Sequence, residues 1–321
     1  MVRLRRVHPD SDPGFRRVRA GAGFRYVDAD GDGAGEDDRE RIRALVIPPA
    51  WEDVWISAAA NGHIQAVGTD EAGRRQYLYH PDWRARRDSG KFGRSLALAA
   101  ALPHARGRVT TALHRERLDR EHVLGAAFRM LDSAAPRIGS ARYLERHGSR
   151  GLTTLQRRDA RVNGQEITLS FPAKSGRRAF IEIDDADLAA TIEQLSAGRP
   201  RSRLLAYESG RRRVPLTPAD VNAYVRSLTG GTFTAKDFRT LRGTILAAEA
   251  LARIGTVDTK SDRKRAEQLA VRATADALGN TVAVARGSYI DPRVFALYGR
   301  GKLLDLGVSP ESAIRSLIQG P

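Results

Sequence analysis

The spacing of the apolar residues changes near residue 90, and this change constrains the fold more than any other feature of the chain. Before it, short apolar stretches alternate with polar residues and end in Gly- and Asp-rich turns, which is typical of β-strands. From about residue 95, apolar residues recur every three or four positions, which is typical of amphipathic helices. We therefore predict an α+β protein, with a small β-rich domain over residues 1–90 and a larger, mainly helical domain over residues 91–321.

Three segments of the first domain predict strands. "GFRYVDADGDG" reads as a strand that runs into a turn, and "DVWISAA" reads as a second strand. "HIQAVGTDEAGRRQYLYH" predicts a hairpin whose turn is Asp70–Gly73. The basic stretch "WRARRDSGKFGRS" at residues 83–95 is predicted to be a linker or hinge between the domains.

A small sheet is predicted to interrupt the helices of the second domain. Two alternating apolar stretches flank the tight segment "PAKSGRR", namely Ile167, Leu169 and Phe171 before it and Ala179, Ile181 and Ile183 after it. This pattern favours a β-hairpin or a three-stranded sheet. Further along, Thr217 followed by Pro218 predicts the start of a helix.

The acidic segment "DADGDGAGEDDRE" resembles a calcium-binding EF-hand loop only in its first half. Asp28, Asp30 and Asp32 stand at the first three ligand positions, with Gly33 at the sixth position. The twelfth position needs a bidentate glutamate, and Arg39 stands there instead. The segment is therefore interpreted as an acidic turn, and no metal site is predicted.

The net charge of +16 and the pI near 10.8 point to a polyanionic partner, and nucleic acid is the foremost candidate. A codon bias offers another explanation, because arginine outnumbers lysine 48 to 6. Such a bias accounts for arginine in place of lysine, but it does not account for the excess of bases over acids.

Cysteine is absent, which excludes disulfides, a thiolate nucleophile and a cysteine-based zinc site. The longest apolar run, Leu96 to Leu102, is too short to cross a bilayer, and the first residues lack the apolar core of a secretory signal. We therefore expect a cytoplasmic protein without a membrane partner.

Five polar side chains of the second domain have the residue types that phosphoryl transfer from DNA to a tyrosine requires; in chain order they are Arg137, Lys174, Arg239, Asn280 and Tyr289. Two arginines can clamp the charge that develops on the phosphate oxygens. A lysine on a hairpin can protonate the leaving oxygen, which an arginine cannot do. The phenol can then act as nucleophile. No carboxylate cluster with metal-ligand spacing accompanies these residues, so no metal or other cofactor is predicted.

Each of these residues also has an ordinary structural explanation when it is considered alone. Arg137 fits a cation at the end of a helix, and Lys174 fits a solvated turn. Arg239 fits one of several surface charges, and Asn280 fits a helix cap. Tyr289 fits a half-buried core aromatic. The order and spacing of the five residues support the catalytic interpretation.

Several segments resemble the small bacterial, poxvirus-like type IB DNA topoisomerases. They are "IPPAWEDVWISAAANGHIQAVGTDEAGRRQYLYHPDWR", "RIGSARYL", "GLTTL", "KDFRT" and the stretch that ends at the last tyrosine of "ARGSY". The resemblance covers nearly the whole chain. It implies that the two domains form a clamp around duplex DNA and that the protein acts as a monomer at the nucleoid. It also implies relaxation of supercoiled DNA without ATP or a required metal.

The resemblance assigns Arg137 and Arg239 to the scissile phosphate and Lys174 to general-acid catalysis. It assigns Tyr289 to the attack that leaves a 3′-phosphotyrosine link. Further DNA contacts are implied for two groups of residues, which are Gln76, Tyr77 and Tyr79 in the first domain and Arg142 and Tyr143 just after the first catalytic arginine.

Asn280 departs from the family pattern, which has a histidine nine residues before the tyrosine. An asparagine amide can donate a hydrogen bond to a phosphate oxygen, but it cannot carry a positive charge. We therefore expect weaker stabilisation of the transition state than a histidine would provide.

Two other functions remain open. A tyrosine recombinase uses similar chemistry, but such enzymes usually have a histidine three residues before the second arginine, where this chain has Lys236. A basic DNA-binding protein without enzymatic activity is the other possibility, and in it Lys174 and Tyr289 would have structural roles.

Overall fold

The computed structural model describes residues 3–71 and 73–320, and the chain divides into two compact units. The first unit is Met1–Gly90 and the second is Lys91–Pro321. A β-sheet forms the centre of the first unit, whereas helices dominate the second unit and small sheets accompany them. The predicted α+β fold class is therefore confirmed.

In the described part of the first unit, a five-stranded antiparallel sheet packs against a short helix. The elements of this unit are β1 (Gly14–Ala20), β2 (Gly23–Val27), α1 (Glu36–Ala44), β3 (Glu52–Ser57), β4 (Ile64–Thr69) and β5 (Arg75–Tyr79). The strand order is β2-β1-β3-β4-β5. Ile42 of α1 packs with Val54, Ile56 and Ala66 in the core beneath the sheet. Burial of these apolar side chains holds the helix against the strands.

Strands β4 and β5 form the predicted hairpin. Val67 is paired with Tyr77, and Thr69 is paired with Arg75. The N–H of Gly73 donates to the carbonyl of Asp70 at 2.8 Å, which closes the turn. Residue 72, within the predicted turn, lies outside the described residues.

The acidic segment forms a turn and then a helix that the sequence pattern did not predict. The Asp28 carboxylate accepts the backbone N–H groups of Asp30 at 3.0 Å and Asp32 at 2.9 Å, so it stabilises the turn itself. Helix α1 begins at Glu36 with three acidic residues in its first turn, where the helix dipole favours negative charge. Only Ile42 of α1 is buried, so the helix has no apolar periodicity that would reveal it.

Residues 83–95, the predicted linker or hinge, are helical. They belong to α2 (Pro81–Leu113), and the division between the two units falls inside this helix. Phe92, Leu96 and Ala99 are buried at helical spacing on one face. Their packing outweighs the cost of Gly90 and Gly93, which is roughly 1 kcal/mol for each helical glycine.

The second unit continues with the helices α3 (Arg120–Ala134), α4 (Ala141–His147), α5 (Ala186–Ser196), α6 (Pro218–Thr229), α7 (Ala235–Ile254), α8 (Lys260–Ala277), α9 (Val282–Ser288), α10 (Pro292–Tyr298) and α11 (Pro310–Gln319). Phe128 of α3 packs edge-on against Phe238 of α7, with ring centroids 5.4 Å apart, and both side chains are buried. The side chain of Thr217 caps α6 by accepting the N–H of Asp220, and Pro218 follows it as predicted. Within the described part of the chain, every helix falls short of the length or apolar character needed to cross a bilayer.

Two small antiparallel sheets accompany these helices. The first consists of β6 (Ala160–Asn163), β7 (Glu166–Pro172) and β8 (Arg178–Asp184), and the second consists of β9 (Ala206–Ser209) and β10 (Arg212–Pro215). The predicted three-stranded sheet is thus confirmed, with Ile167, Leu169 and Phe171 buried on one face of β7. The turn between β7 and β8 contains a single 3₁₀ turn at Lys174–Gly176.

Candidate active site

Arg137 lies in the loop after α3, where two chain segments cross closely. Helix α3 ends at Ala135, which adopts the left-handed conformation with φ of 48°. The N–H of Leu152 donates to the carbonyl of Arg137 at 2.8 Å. A methyl group on Gly151 would lie 2.4 Å from that carbonyl oxygen, so the close crossing requires glycine. The backbone of Arg137 is therefore held by a distant segment of the chain.

Arg239 is buried in α7 and is held by two helix ends. Its Nη1 donates to the carbonyl of Ala135 at 2.7 Å, and its Nη2 donates to the carbonyl of Leu278 at 2.7 Å. These carbonyls belong to the C-terminal ends of α3 and α8, where the helix dipole favours a cation. Burial lowers the pKa of Arg239, although the neighbouring Tyr289 opposes that shift. The guanidinium is thus fixed in position before any ligand binds.

Tyr289 follows α9 and lies against Arg239. Its side chain is 8% exposed, and the Cζ atom of Arg239 is 5.0 Å from the centre of its ring. Its backbone N–H donates to the carbonyl of Ala285 at 3.0 Å, which continues the last turn of α9. The nearly buried ring therefore contacts a cation, unlike an ordinary core aromatic.

Positive charge around Tyr289 changes its acidity. Burial raises the pKa of the Tyr289 hydroxyl, whereas nearby positive charge lowers it, and the net shift is downward. The charges that lower the pKa belong to Arg239, Arg137 and Lys236. A lower pKa increases the fraction of phenolate, which is the nucleophilic form of the side chain.

Asn280 follows α8 and uses its amide oxygen to bind Arg137. Its backbone N–H donates to the carbonyl of Ala275 at 2.8 Å, and its Oδ1 accepts a short hydrogen bond from Nη2 of Arg137. Its backbone carbonyl accepts from Nη1 of Arg177 at 3.3 Å. The buried Nδ2 has no hydrogen-bond acceptor among the described residues. The amide therefore keeps a donor that an incoming ligand can satisfy.

A cavity of about 400 Å³ brings four of the five predicted catalytic residues together. Arg137, Lys174, Arg239 and Tyr289 all line it. Lys174 is exposed and enters from the turn between β7 and β8. Asn280 does not line the cavity, but its hydrogen bond to Arg137 connects it to the site. The three cationic side chains among these four residues suit the cavity to an anionic ligand.

Two further cationic residues line the cavity, and sequence reasoning did not assign them to the site. Lys236 lies in the first turn of α7, three residues before Arg239, and this helical spacing could have placed it on the same face. Arg150 lies just before the "GLTTL" segment and forms a buried ion pair with Asp159 at 2.7 Å. No local signal identifies Arg150, because its partner and the cavity depend on the tertiary fold.

Of the predicted DNA contacts in the second unit, Tyr143 lines the cavity and Arg142 precedes it on α4. Tyr143 is 48% exposed, and its ring lies 5.6 Å from that of His147. Ser140 caps this helix by accepting the N–H of Tyr143. An exposed aromatic at the edge of a cationic cavity is able to contact a nucleic acid.

The predicted DNA contacts of the first unit lie on β5. The rings of Tyr77 and Tyr79 stack with centroids 5.9 Å apart, because residues two apart project from the same face of a strand. The Nε2 of Gln76 donates to a carboxylate oxygen of Asp70 at 2.8 Å, on the other face. Tyr77 is 39% exposed, so its ring is accessible to a partner.

Among residues 3–71 and 73–320, no group of three or more histidine, aspartate or glutamate side chains lies close enough together to hold a metal ion. The acidic turn that begins at Asp28 is among these residues, and it forms no such group.

Comparisons with known proteins show which family the chain is similar to. The family model for the N-terminal domain of bacterial DNA topoisomerase IB matches residues 23–70. The family model for the catalytic core of eukaryotic DNA topoisomerase I matches residues 80–292, which include all five predicted catalytic residues. The DNA topoisomerase 1B of Acanthamoeba polyphaga mimivirus is 28% identical over 293 residues, which cover 89% of this chain and 87% of that protein. The chain therefore belongs to the type IB DNA topoisomerase family, whose members are type I topoisomerases.

Proposed function

We propose that the protein relaxes supercoiled DNA by cutting one strand transiently, with Tyr289 as the nucleophile. The observation that carries this proposal is the shared cavity of Arg137, Lys174, Arg239 and Tyr289. Two arginines beside a phenol of lowered pKa provide what attack on a phosphodiester requires. A binding protein without activity has no need for a buried tyrosine whose ring contacts a buried arginine.

The cleavage step begins when the Tyr289 oxygen, having lost its proton to solvent, attacks the scissile phosphorus. The bond from phosphorus to the 5′ oxygen breaks, and Lys174 donates a proton to that leaving oxygen. Arg137 and Arg239 neutralise the phosphate oxygens in the transition state. The products are a 3′-phosphotyrosine and a free 5′ hydroxyl.

Religation reverses this step after the free 5′ end has rotated. The 5′ hydroxyl returns its proton to Lys174 and attacks phosphorus, and the bond to Tyr289 breaks. Because the phosphotyrosine conserves the energy of the cut bond, the chemistry requires neither ATP nor a metal ion. The unpaired Nδ2 of Asn280 donates a further hydrogen bond to the bound phosphate.

DNA binding would involve both units of the chain. Residues 1–90 would contribute Gln76, Tyr77 and Tyr79, and residues 91–321 would contribute Arg142 and Tyr143. The enzyme would act as a monomer on the DNA of the nucleoid. Exposed tyrosines and a cationic cavity support this interpretation.

Relaxation of a supercoiled plasmid in EDTA without ATP tests the proposal. The parent protein is expected to relax the plasmid, and the Tyr289→Phe variant is expected to be inactive. Tyr224→Phe is a matched control, because the hydroxyl of Tyr224 is buried and has no hydrogen-bond partner among the described residues. Its loss should leave relaxation unchanged.

The same assay distinguishes the other two functions. A binding protein would retard the plasmid without changing its linking number. A recombinase would require two paired sites and would join DNA segments from different molecules. Relaxation by Tyr289→Phe at the parental rate would contradict the assignment of the nucleophile.

A further inference from the structure

Gly243 of α7 lies directly beneath the backbone of Tyr289. A methyl group on Gly243 would lie 2.7 Å from the carbonyl oxygen of Tyr289 and 3.0 Å from its Cβ atom. Atoms do not approach this closely, so the tyrosine could not keep its place above any larger residue. The close contact therefore requires glycine, although glycine weakens a helix interior.

Thr244, the next residue of α7, holds the same segment through hydrogen bonds. Its hydroxyl has a single hydrogen, which is shared between the carbonyl oxygen of Thr240 at 2.9 Å and the carbonyl oxygen of Tyr289 at 3.3 Å. The hydroxyl oxygen of Thr244 also accepts the backbone N–H of Asp291 at 3.1 Å. Thr244 is buried, so these bonds are protected from competing water.

Arg239 and Gly243 are four residues apart on α7 and therefore lie one turn apart on the same side of the helix. The guanidinium of Arg239 contacts the ring of Tyr289, and Gly243 contacts its backbone. One rigid helix thus touches the tyrosine at two points. The distance between the phosphate-binding arginine and the nucleophile is consequently set by this helix.

We propose that Gly243 and Thr244 are positioning residues that hold Tyr289 in line for attack. This inference rests on the proposed role of Tyr289 as the nucleophile. A displacement of about 1 Å at a reacting group costs on the order of 100-fold in rate. Gly243 and Thr244 contact the backbone and Cβ atom of Tyr289, so they act through that residue.

Single-turnover cleavage of a duplex, measured as covalent protein–DNA complex, tests this role. Gly243→Ala is expected to cleave about 10- to 100-fold more slowly than the parent, with unchanged DNA affinity. Thr244→Val, which loses the hydroxyl, should also slow cleavage without weakening binding. Thr244→Ser keeps the hydroxyl and should cleave at nearly the parental rate.

Two control variants show whether such losses reflect a damaged fold instead. Gly107→Ala adds the same methyl group to a helical glycine of α2, where it meets no atom of the described chain within 4 Å. Thr274→Val removes a buried threonine hydroxyl of α8 that donates to the carbonyl of Ala270 at 2.8 Å. Both controls should cleave at the parental rate.

The possible outcomes separate this inference from the proposed function. If the parent forms no covalent complex, the proposed function is wrong. If the parent cleaves and Thr244→Ser is as slow as Thr244→Val, the positioning role of the hydroxyl is wrong. If Gly243→Ala cleaves at the parental rate, the close contact does not position the tyrosine. Should Gly243→Ala fail to fold, the comparison of the two Thr244 variants still tests the inference.

Discussion

Asn280 uses the two ends of its side-chain amide in different ways. Its oxygen accepts a hydrogen bond from Arg137, and its nitrogen is buried without an acceptor in the described part of the chain. A buried donor left unpaired is costly, and it is usually explained by a ligand that completes the bond. Asn280 therefore orients Arg137, and in the proposed mechanism its nitrogen is the neutral donor to the phosphate.

The Asn280→His variant tests the consequence of a neutral donor. A protonated imidazole donates a charged hydrogen bond, which is stronger by roughly 1 kcal/mol, and this corresponds to a rate gain of up to about tenfold. Once phosphate is bound, Arg137 has a charged acceptor, so it no longer depends on the amide oxygen. The gain should be largest below a pH of about 6.5, the ordinary pKa of histidine, and should decline above it.

Single-turnover cleavage by the parent and by Asn280→His, measured from acidic to alkaline pH, checks this prediction. Asn280→Leu serves as a control that removes the donor and the acceptor together, and it should be slower than the parent at every pH. An Asn280→His variant that is no faster than the parent at any pH would contradict the prediction.

The five proposed catalytic residues could be selected from the sequence, but their mutual contacts could not be predicted from it. Arg137 and Asn280 are 143 positions apart, and only the tertiary fold brings them together. The contact between Gly243 and Tyr289 likewise exists only because the fold brings α7 against the residue that follows α9. Lys236, in contrast, could have been assigned to the site from the sequence, because it lies three residues before Arg239 on the same predicted helix.

At the scale of whole elements, α2 shows how an amphipathic pattern can be hidden. Its first residues are rich in arginine and contain Gly90 and Gly93, which indicate a linker when they are considered alone. Phe92 is buried and continues the apolar face of Leu96 and Ala99. Elements with a clear apolar face, such as α3 and the strand β7, were predicted correctly. Elements that bury few side chains, such as α1, were not.

Gly93→Ala tests whether residues 83–95 form a helix in solution. Gly93 is exposed, and an added methyl group would meet no described atom within 4 Å. In a helix, this change should raise the free energy of unfolding by roughly 0.5–1 kcal/mol, because alanine loses less backbone entropy than glycine. Urea unfolding of the parent and the variant measures the difference.

Gly21→Ala should change the free energy of unfolding in the opposite direction. Gly21 joins β1 and β2 with a φ of 57°, in the left-handed region that alanine avoids, so this variant should lower the free energy of unfolding. A Gly93→Ala variant with unchanged stability would favour a flexible linker over the helix.

At the scale of the whole molecule, the positive charge is distributed unequally between the two units. Residues 1–90 contain 15 basic and 15 acidic residues, whereas residues 91–321 contain 39 basic and 23 acidic residues. The net charge of +16 therefore resides in the second unit, which also contains the cationic cavity. The DNA contacts predicted for the first unit, such as Gln76 and Tyr77, are neutral side chains.

This distribution predicts which unit accounts for the salt dependence of DNA binding. Each phosphate contact adds about 0.9 to the slope of log affinity against log salt, because counterions leave the DNA. A fragment of residues 81–321 keeps α2 complete together with the core of the second unit. We expect this fragment to bind duplex DNA more weakly than the full chain. Its slope should differ from that of the full chain by no more than the contribution of about two phosphate contacts.

Equilibrium binding over a range of salt concentrations measures both slopes, and circular dichroism verifies that the fragment is folded. A slope that falls by half or more in the fragment would show that the neutral first unit makes most of the phosphate contacts, contrary to this prediction.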